Sequence, residues 1–403
     1  MEDVEKNEVP YLRVGTNYFK IIEQPLASKD TVKKIIGWSS GNISDDHSEK
    51  DYKKKIPKFD SFCNIPDNID YKRVFSNSYN IYEPIEHKRT LGKFENIELF
   101  LKHIFGEQYY LGLDYLTIIW QLPTQILPIL CLVSNERNTG KTTFLNFLKD
   151  ILGFNMTINT NEDFRNQFNS GWASKLIIGV DEVMLDKKED TERIKNLSTT
   201  RSIKSESKGK DKNEQEFYGK FILCSNNEND FIKISPEETR FWVRKVPVIA
   251  HDNIDLRTLM KSEIPGFLHF LTNRKILIES TTRMWFTREQ LFTDALRKVM
   301  NGGASKLEKE IKLLITDQFF AFDCESLQLT PKDIIELLKI ENNISVNSTA
   351  ITDIIADKWG YKPEEKSKYY TRYKFYFNND GNLEKTEEKR VGRIYTFKKD
   401  KFC

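Results

Sequence analysis

The chain has 403 residues, 39% of them hydrophobic and 30% charged, with 62 basic against 60 acidic side chains. That length predicts two or three domains of roughly 150 residues each with a substantial buried core, and the composition excludes global disorder. The net charge of +2 leaves any affinity for nucleic acid to local patches. No segment approaches the roughly 18 apolar residues of a membrane span, so no membrane partner is expected, and residues 1–10 are too acidic and polar for a signal peptide. Cys63, Cys131, Cys224, Cys324 and Cys403 are scattered and form no C-x-x-C pair. This excludes a disulfide scaffold and a zinc ribbon and fits a reducing cytoplasm. Five scattered histidines without an H-E-x-x-H pattern give no metal centre.

Residues 1–88 form a weakly patterned N-terminal region. Within it, residues 37–57 read as a loop, ending in the basic run Tyr52-Lys-Lys-Lys-Ile-Pro-Lys58. Residues 89–125 read as a helical lead-in, or collar, with one apolar stripe at Leu99, Leu101, Ile104 and Phe105 and another over residues 111–120, closed by Pro123. Residues 126–290 alternate short apolar runs with helical stretches. The runs at 126–133, 176–180 and 220–224 have strand length and suit a mostly parallel sheet. Phe144, Phe147, Leu148 and Ile151 have helix spacing directly after the first run, making a strand–loop–helix unit. Residues 256–278 read as a helix. Residues 291–403 form a last unit, with helices over 307–319, 332–338 and 348–359, a strand over 369–377, a turn at Asn378-Asn-Asp-Gly381 and a strand over 392–398. Helices followed by a two-stranded ribbon predict a winged helix. The fold class expected is α/β.

The loop of the strand–loop–helix unit reads Asn135-Glu136-Arg137-Asn138-Thr139-Gly140-Lys141-Thr142, followed by Thr143. This is the P-loop form G-x-x-x-x-G-K-[ST] with Asn135 in place of the first glycine. Its backbone N–H groups and the following helix N-terminus suit phosphate oxygens. Lys141 is placed to reach the β- and γ-phosphates of ATP and Thr142 to ligate Mg²⁺. Asn135 is expected to be tolerated because Asn visits left-handed backbone conformations more readily than most residues. The second run, Leu176-Ile-Ile-Gly-Val-Asp-Glu182, ends in two acids. Asp181 is expected to hold Mg²⁺ through water and Glu182 to act as general base on the attacking water. If the strand continues, the two carboxylates point to opposite faces. The third run, Phe221-Ile-Leu-Cys-Ser-Asn-Asn227, ends in amides; Asn226, with Asn227 as competitor, is placed to orient that water. In Glu237-Glu-Thr-Arg-Phe-Trp-Val-Arg-Lys245, Arg240, with Arg244 as alternative, could stabilise transition-state charge on a neighbouring subunit's nucleotide. The plainer reading of Arg240 is a surface arginine paired with Glu237 or Glu238.

In order and spacing, residues 135–142, 176–182, 221–227 and Arg240 resemble the Walker A, Walker B, motif C and arginine finger of superfamily 3 helicases. Within these AAA+ ring ATPases, the similarity is to the phage and plasmid primase-helicases related to the poxvirus type. It covers residues 90–250 or so. The resemblance implies an AAA+ ATPase core, a hexameric ring with ATP between subunits, and translocation on single-stranded or forked DNA with 3′ to 5′ polarity. It also implies replication of a phage, virus or mobile element, in a bacterial host or at a viral replication site, and a possible separate primase, since residues 1–88 show no primase signature. The family carries a DNA-binding hairpin between Walker B and motif C. Here that stretch is Arg201-Ser-Ile-Lys-Ser-Glu-Ser-Lys-Gly-Lys-Asp-Lys212, and Lys204, Lys208, Lys210 and Lys212 are the implied phosphate contacts.

Residues 366–377 hold four basic residues, six aromatics and no acid, which suits either base stacking or an ordinary half-buried strand. Three other readings of the whole chain compete with the helicase. The first is an AAA+ ATPase that remodels protein or packages DNA without unwinding. The second is a nucleotide-gated DNA-binding or origin-recognition module, which Glu182 argues against. A small-molecule P-loop kinase leaves Asn226, Arg240 and the basic stretch unexplained.

Overall fold

The computed structural model describes residues 9–25, 31–49, 51–165, 169, 171–185, 187–205, 213–235, 237–250, 253–302, 306–342, 344–377 and 383–402. The chain divides into two units, Met1–Gly303 and Ala304–Cys403.

The first unit opens with strands β1 (Tyr11–Val14), β2 (Asn17–Pro25) and β3 (Thr31–Trp38), paired antiparallel in sequence. Helix α1 (Ser40–Asp46) follows, and β4 (Lys58–Phe59) returns parallel to β1. The expected loop at 37–57 is therefore largely ordered. Its apolar residues are few, but Ile43 and Ile56 bury themselves against Tyr11, and the Ser39 hydroxyl caps α1 by accepting the Asn42 N–H at 2.9 Å. A second small sheet holds β5 (Ser61–Cys63), β6 (Val74–Phe75) and β7 (Ser78–Asn80).

Helices α2 (Glu95–Phe105) and α3 (Tyr109–Gln121) form the lead-in. The buried stripe of α2 is Ile97, Phe100, Leu101, Ile104 and Phe105, whereas Leu99 is 66% exposed. Leu99 lies two positions from both Ile97 and Leu101, about 200° around the helix from each, on the side that carries Glu95, Glu98 and Lys102. Helix α3 is buried on all sides from Leu111 to Trp120.

The central sheet follows, with β8 (Ile129–Val133), helix α4 (Lys141–Leu152), β9 (Met156–Asn159), helix α5 (Asn161–Arg165) and β10 (Ile177–Val180). Helix α6 (Lys188–Leu197) leads to the antiparallel hairpin β11 (Ser202–Ser205) and β12 (Asn213–Glu216), then to β13 (Lys220–Ser225) and β14 (Phe241–Lys245). The strand order is β14-β8-β13-β10-β9, with every pair parallel. The three predicted strands are present. Two more, β9 and β14, were not legible as strands: β9 has four residues, and β14 hides within a segment conspicuous for its charges, although Phe241, Trp242 and Val243 are fully buried. Residues of β8, β10 and β13 are all buried, and alternate residues enter different clusters, Leu130 and Leu132 on one face, Ile129, Cys131 and Val133 on the other. Such two-sided burial is what a parallel sheet requires.

Helix α7 (Leu256–Asn273) stops short of the expected Ile278. The fully buried Asp114 carboxylate takes the Arg274 guanidinium and the N–H groups of Leu277 and Ile278, and these bonds hold the chain extended. Short helices α8 (Arg288–Leu291) and α9 (Asp294–Gly302) complete the unit.

The second unit runs α10 (Lys306–Phe322), β15 (Ser326–Leu329), α11 (Pro331–Asn342), α12 (Ser348–Thr352) with a π-helical turn over Asp353–Lys358, β16 (Lys368–Phe377), β17 (Leu383–Gly392) and β18 (Tyr395–Lys398). The expected single last strand is two: β17 pairs with β16, and after Arg393 and Ile394 the chain crosses to pair β18 with β15. The predicted turn at 378–381 lies outside the described residues. Asp333, fully buried, gathers Thr330, Tyr370, Arg372 and Arg390 and ties β16 and β17 to α11. Tyr370 is thus a core aromatic, while Tyr369 beside it is 84% exposed. No helix among the described residues is long and apolar enough to cross a membrane.

Lys175 provides a test of the interior of the first unit. Its ammonium donates to the Phe154 carbonyl at 2.8 Å and lies 3.3 Å from the Phe154 ring centroid. Burial, with Lys149 beside it, pushes its pKa down to about 7. Above that value the fold holds Lys175 neutral, while the unfolded chain keeps the proton to about pH 10.4. The unfolded state therefore binds more protons across that window, and stability rises with pH through it. Lys175→Met is expected to stabilise the protein by more than about 1 kcal/mol near pH 7. The gain should shrink towards pH 10 in urea unfolding curves.

Candidate nucleotide site

Three loops meet at one edge of the central sheet because three parallel strands end there in register. Val133 of β8 pairs with Ser225 of β13, and Leu223 pairs with Val180 of β10. A crevice at the carboxyl ends of parallel strands is where ligands bind in sheets of this kind. Strand β13 lies between β8 and β10, which puts Asn226 between the phosphate loop and the acid pair.

The loop 135–140 joins β8 to α4. Asn138 and Gly140 have φ of 54° and 86°, so the left-handed positions are these two and not Asn135. A Cβ on Gly140 would meet the Phe100 ring at 3.1 Å and Ile249 at 3.3 Å. The expected reason for tolerating Asn135 is thus replaced by another. The Asn135 N–H donates to Glu228 Oε1 at 3.1 Å, and Asn135 Oδ1 accepts the Glu228 N–H at 3.1 Å. This reciprocal clasp joins the phosphate loop to the end of β13. Burial pushes the Glu228 carboxyl up, but Lys245, 2.9 Å away, and the Asn135 N–H outweigh it and hold the group below the usual carboxylate range. Glu136 and Arg137 are exposed, and Thr143 is half-buried. Thr139 is buried; its carbonyl lies 3.0 Å from His103 Nε2 on α2, and its hydroxyl accepts from Lys141 Nζ at 2.9 Å. Burial depresses the Lys141 pKa, with the Asp181 and Glu228 carboxylates opposing the shift. A phosphate anion is the partner that would restore the charged form.

The Thr142 hydroxyl donates to Asp181 Oδ2 at 2.8 Å, so the two expected metal-binding residues are in direct contact. A hydroxyl beside a carboxylate offers the hard oxygen donors that suit Mg²⁺, which takes few protein ligands and completes its shell with water and phosphate oxygens. No cluster of three or more His, Cys, Asp or Glu residues that could hold a metal occurs among the described residues. Strand β10 ends at Val180, and Glu182 turns out with φ 52°. The two acids therefore diverge by a backbone turn and not by strand alternation. The Glu182 carbonyl accepts Asn161 Nδ2 at 3.1 Å, and Asn161 Oδ1 accepts the Met184 N–H at 3.0 Å, which fixes the turn. The exposed Glu182 carboxylate has no ion-pair partner among the described residues.

The structure separates the two amides. Asn227 Oδ1 accepts the N–H groups of Asn229 and Asp230 at 2.8 and 2.9 Å, whereas the Asn226 side chain is exposed and unengaged among the described residues. It separates the two arginines as well. Arg244 is 5% exposed and held by Glu107. Arg240 is half-buried and pairs with Glu238 at 3.0 Å, as in the plainer reading; Glu238 also pairs with Lys195 at 3.0 Å. Burial raises the Glu238 carboxyl, but Lys195 and Arg240 overcome this and hold it low. Arg240 stands at the opposite edge from the phosphate loop: its carbonyl accepts the N–H of Ile129, the first residue of β8, at 2.8 Å. Five residues of strand, roughly 16 Å, separate that edge from the loop. Lys204 is exposed on β11 opposite Glu214; Lys208, Lys210 and Lys212 lie outside the described residues. Sequence reasoning missed His103 and Glu228. Glu228 follows the two amides directly, and its signal was one acid next to a motif.

Fold and site together define a mixed α/β chain built on a P-loop-like core. A model of a family of unknown function (DUF5906) matches residues 132–244, which spans β8 to β14. No curated protein matches the chain in sequence. Among solved structures, the apo C-terminal region (305–718) of NrS-1 is similar over 88% of this chain and 92% of that one, with a TM-score of 0.63 and 14% identity. An A form of the same apo region gives 0.61 at 15% identity over 89% and 91%. At these identities the likeness is one of fold. A JCV helicase overlaps 55% of this chain and 64% of its own at 14% identity, and its TM-score of 0.29 is too low to argue from.

Asn135→Gly restores the consensus glycine but removes the side-chain half of the clasp. The expected loss is about 1–2 kcal/mol, combining one hydrogen bond with the backbone freedom of glycine. Urea denaturation followed by tryptophan fluorescence measures it.

Proposed function

We propose that this chain is an ATP-dependent DNA helicase of the superfamily 3, AAA+ type, acting as a ring oligomer. The observation that carries the reading is the convergence of Lys141, the Thr142–Asp181 pair, Glu182 and Asn226 at one sheet edge, with the phosphate loop between β8 and α4. Lys141 would hold the β- and γ-phosphates of ATP. Thr142 and Asp181 would hold Mg²⁺, which when bound neutralises phosphate charge. Glu182 would take the proton of the attacking water and Asn226 would orient that water in line with the γ-phosphorus. The new bond joins water oxygen to the γ-phosphorus, and the bond to the ADP oxygen breaks.

Arg240 lies at the far edge and cannot serve its own chain's nucleotide. This favours a finger supplied to a neighbour, and hence an oligomer. The hairpin pairs Ser205 with Asn213, and Lys208, Lys210 and Lys212, implied to contact a single strand, fall between these two in sequence, outside the described residues. The order helix–strand–helix–helix–strand–strand–strand in residues 306–402 supports a winged helix. The exposed side of its third helix carries Asp353 and Asp357, so duplex contact would fall to the ribbon, with exposed Tyr369 and Lys389.

ATP hydrolysis by the purified chain is expected to rise with single-stranded DNA and to fall at least about a hundredfold in Lys141→Ala. Turnover indifferent to DNA would favour a remodelling ATPase, and nucleotide binding without turnover a switch. Arg240→Ala is expected to bind ATP normally, to hydrolyse it about 10³-fold more slowly, and to depress wild-type turnover when mixed in. Additive rates on mixing would rule out a finger in trans.

A further inference from the structure

A second polar cavity, of about 720 Å³, opens at the amino-terminal edge of the central sheet, away from the phosphate loop. Its walls come from the turn before β8, the α6–β11 connection, the β12–β13 connection and the segment before α8. The volume lies in the range of small-ligand sites.

Its floor is unusual in charge. Lys220, the first residue of β13, is 3% exposed. Its ammonium donates to the carbonyls of Pro123 and Tyr218, the latter at 2.8 Å. No carboxylate pairs with it among the described residues, and an ammonium has a third N–H to place. A buried cation without a counter-charge is costly and is expected to be neutralised or paired. Burial alone pushes its pKa down to about 7. Arg201 and Arg283 also line the cavity, are exposed, and have no ion pair among the described residues. The one acid on the wall, Glu216, accepts the Tyr218 hydroxyl at 2.7 Å. Two guanidinium cations and the Lys220 amine therefore face one carboxylate among the described lining residues, with the Ser280 hydroxyl beside them.

We infer that this cavity binds a phosphate group, held by Arg201 and Arg283 at the mouth with Lys220 as the buried counter-charge. Guanidinium forks bind phosphate oxygens in pairs, and the Ser280 hydroxyl on the wall supplies a further donor. The phosphate could belong to a nucleic-acid strand passing the root of the β11–β12 hairpin or to a free nucleotide. The site is independent of the phosphate loop and of whether that loop hydrolyses ATP.

The test uses the full chain with Lys141→Ala as parent, so that the phosphate loop does not dominate the signal. Thermal shift with pyrophosphate and fluorescence anisotropy with labelled oligo(dT) are read on the parent, with Lys220→Met added, and with Arg201→Ala and Arg283→Ala added together. Lys220→Gln stands in if the Met variant fails to fold. A pyrophosphate-induced rise in Tm that both sets abolish assigns the site to free phosphates. An oligo(dT) affinity about tenfold weaker in both sets, without a pyrophosphate response, assigns it to a nucleic-acid backbone. The proposal is overturned if neither signal changes. It is equally overturned if only the arginine set weakens oligo(dT), since surface charge alone would explain that result.

Discussion

Everything functional in the first unit depends on the burial of three neighbouring strands on both faces. Strands β8, β13 and β10 have no solvent-facing side, so their register is fixed by packing and cannot slip without exposing a row of apolar side chains. Polar side chains therefore cluster at their ends. At the carboxyl edge the chain places a phosphate loop, an amide and two acids side by side. At the amino edge it places a buried lysine and, two strands further out, Arg240.

The phosphate loop itself is held from outside. Its left-handed residues, Asn138 and Gly140, shape the turn, while Asn135 and Glu228 lock the turn to the neighbouring strand end and His103 touches it from α2. A loop pinned on two sides before any ligand arrives loses little conformational freedom on binding. The same holds for the Glu182 turn, which Asn161 clamps at both its carbonyl and the following N–H. The exposed Glu182, the proposed general base, thus stands on fixed backbone.

Much of this was legible in the chain itself. The G-K-T loop between an apolar run and an amphipathic stretch, and two further runs ending in acids and amides, marked the strand ends without any knowledge of their neighbours. Pattern could not give what depends on those neighbours. It named Arg240 ahead of Arg244 but could not show the contrast between them, which lies in Glu107, far away in sequence, paired with the buried Arg244. It put Leu99 in the core because helical spacing constrains angles only relative to the true buried stripe. It missed β9 and β14, where a few buried residues sit inside short or charged segments. It also explained Asn135 by backbone tolerance, when the side chain's bond to Glu228 is what the position uses. Lys220 read simply as the start of a strand; only the carbonyls of Pro123 and Tyr218 and the absence of a carboxylate partner among the described residues reveal its isolation.

The carboxylate of Glu238 is shared, and the sharing has an energetic consequence. It accepts from Lys195, from the Arg240 guanidinium and from the backbone N–H groups of Thr239 and Arg240. Were Arg240 to swing away, the buried acid would keep Lys195 and both N–H groups, and no orphaned charge would remain. Under the proposed role of Arg240, departure of the guanidinium would exchange one anionic partner for another and would not leave a buried carboxylate unpaired. Glu238 would then serve as a berth for the arginine at rest.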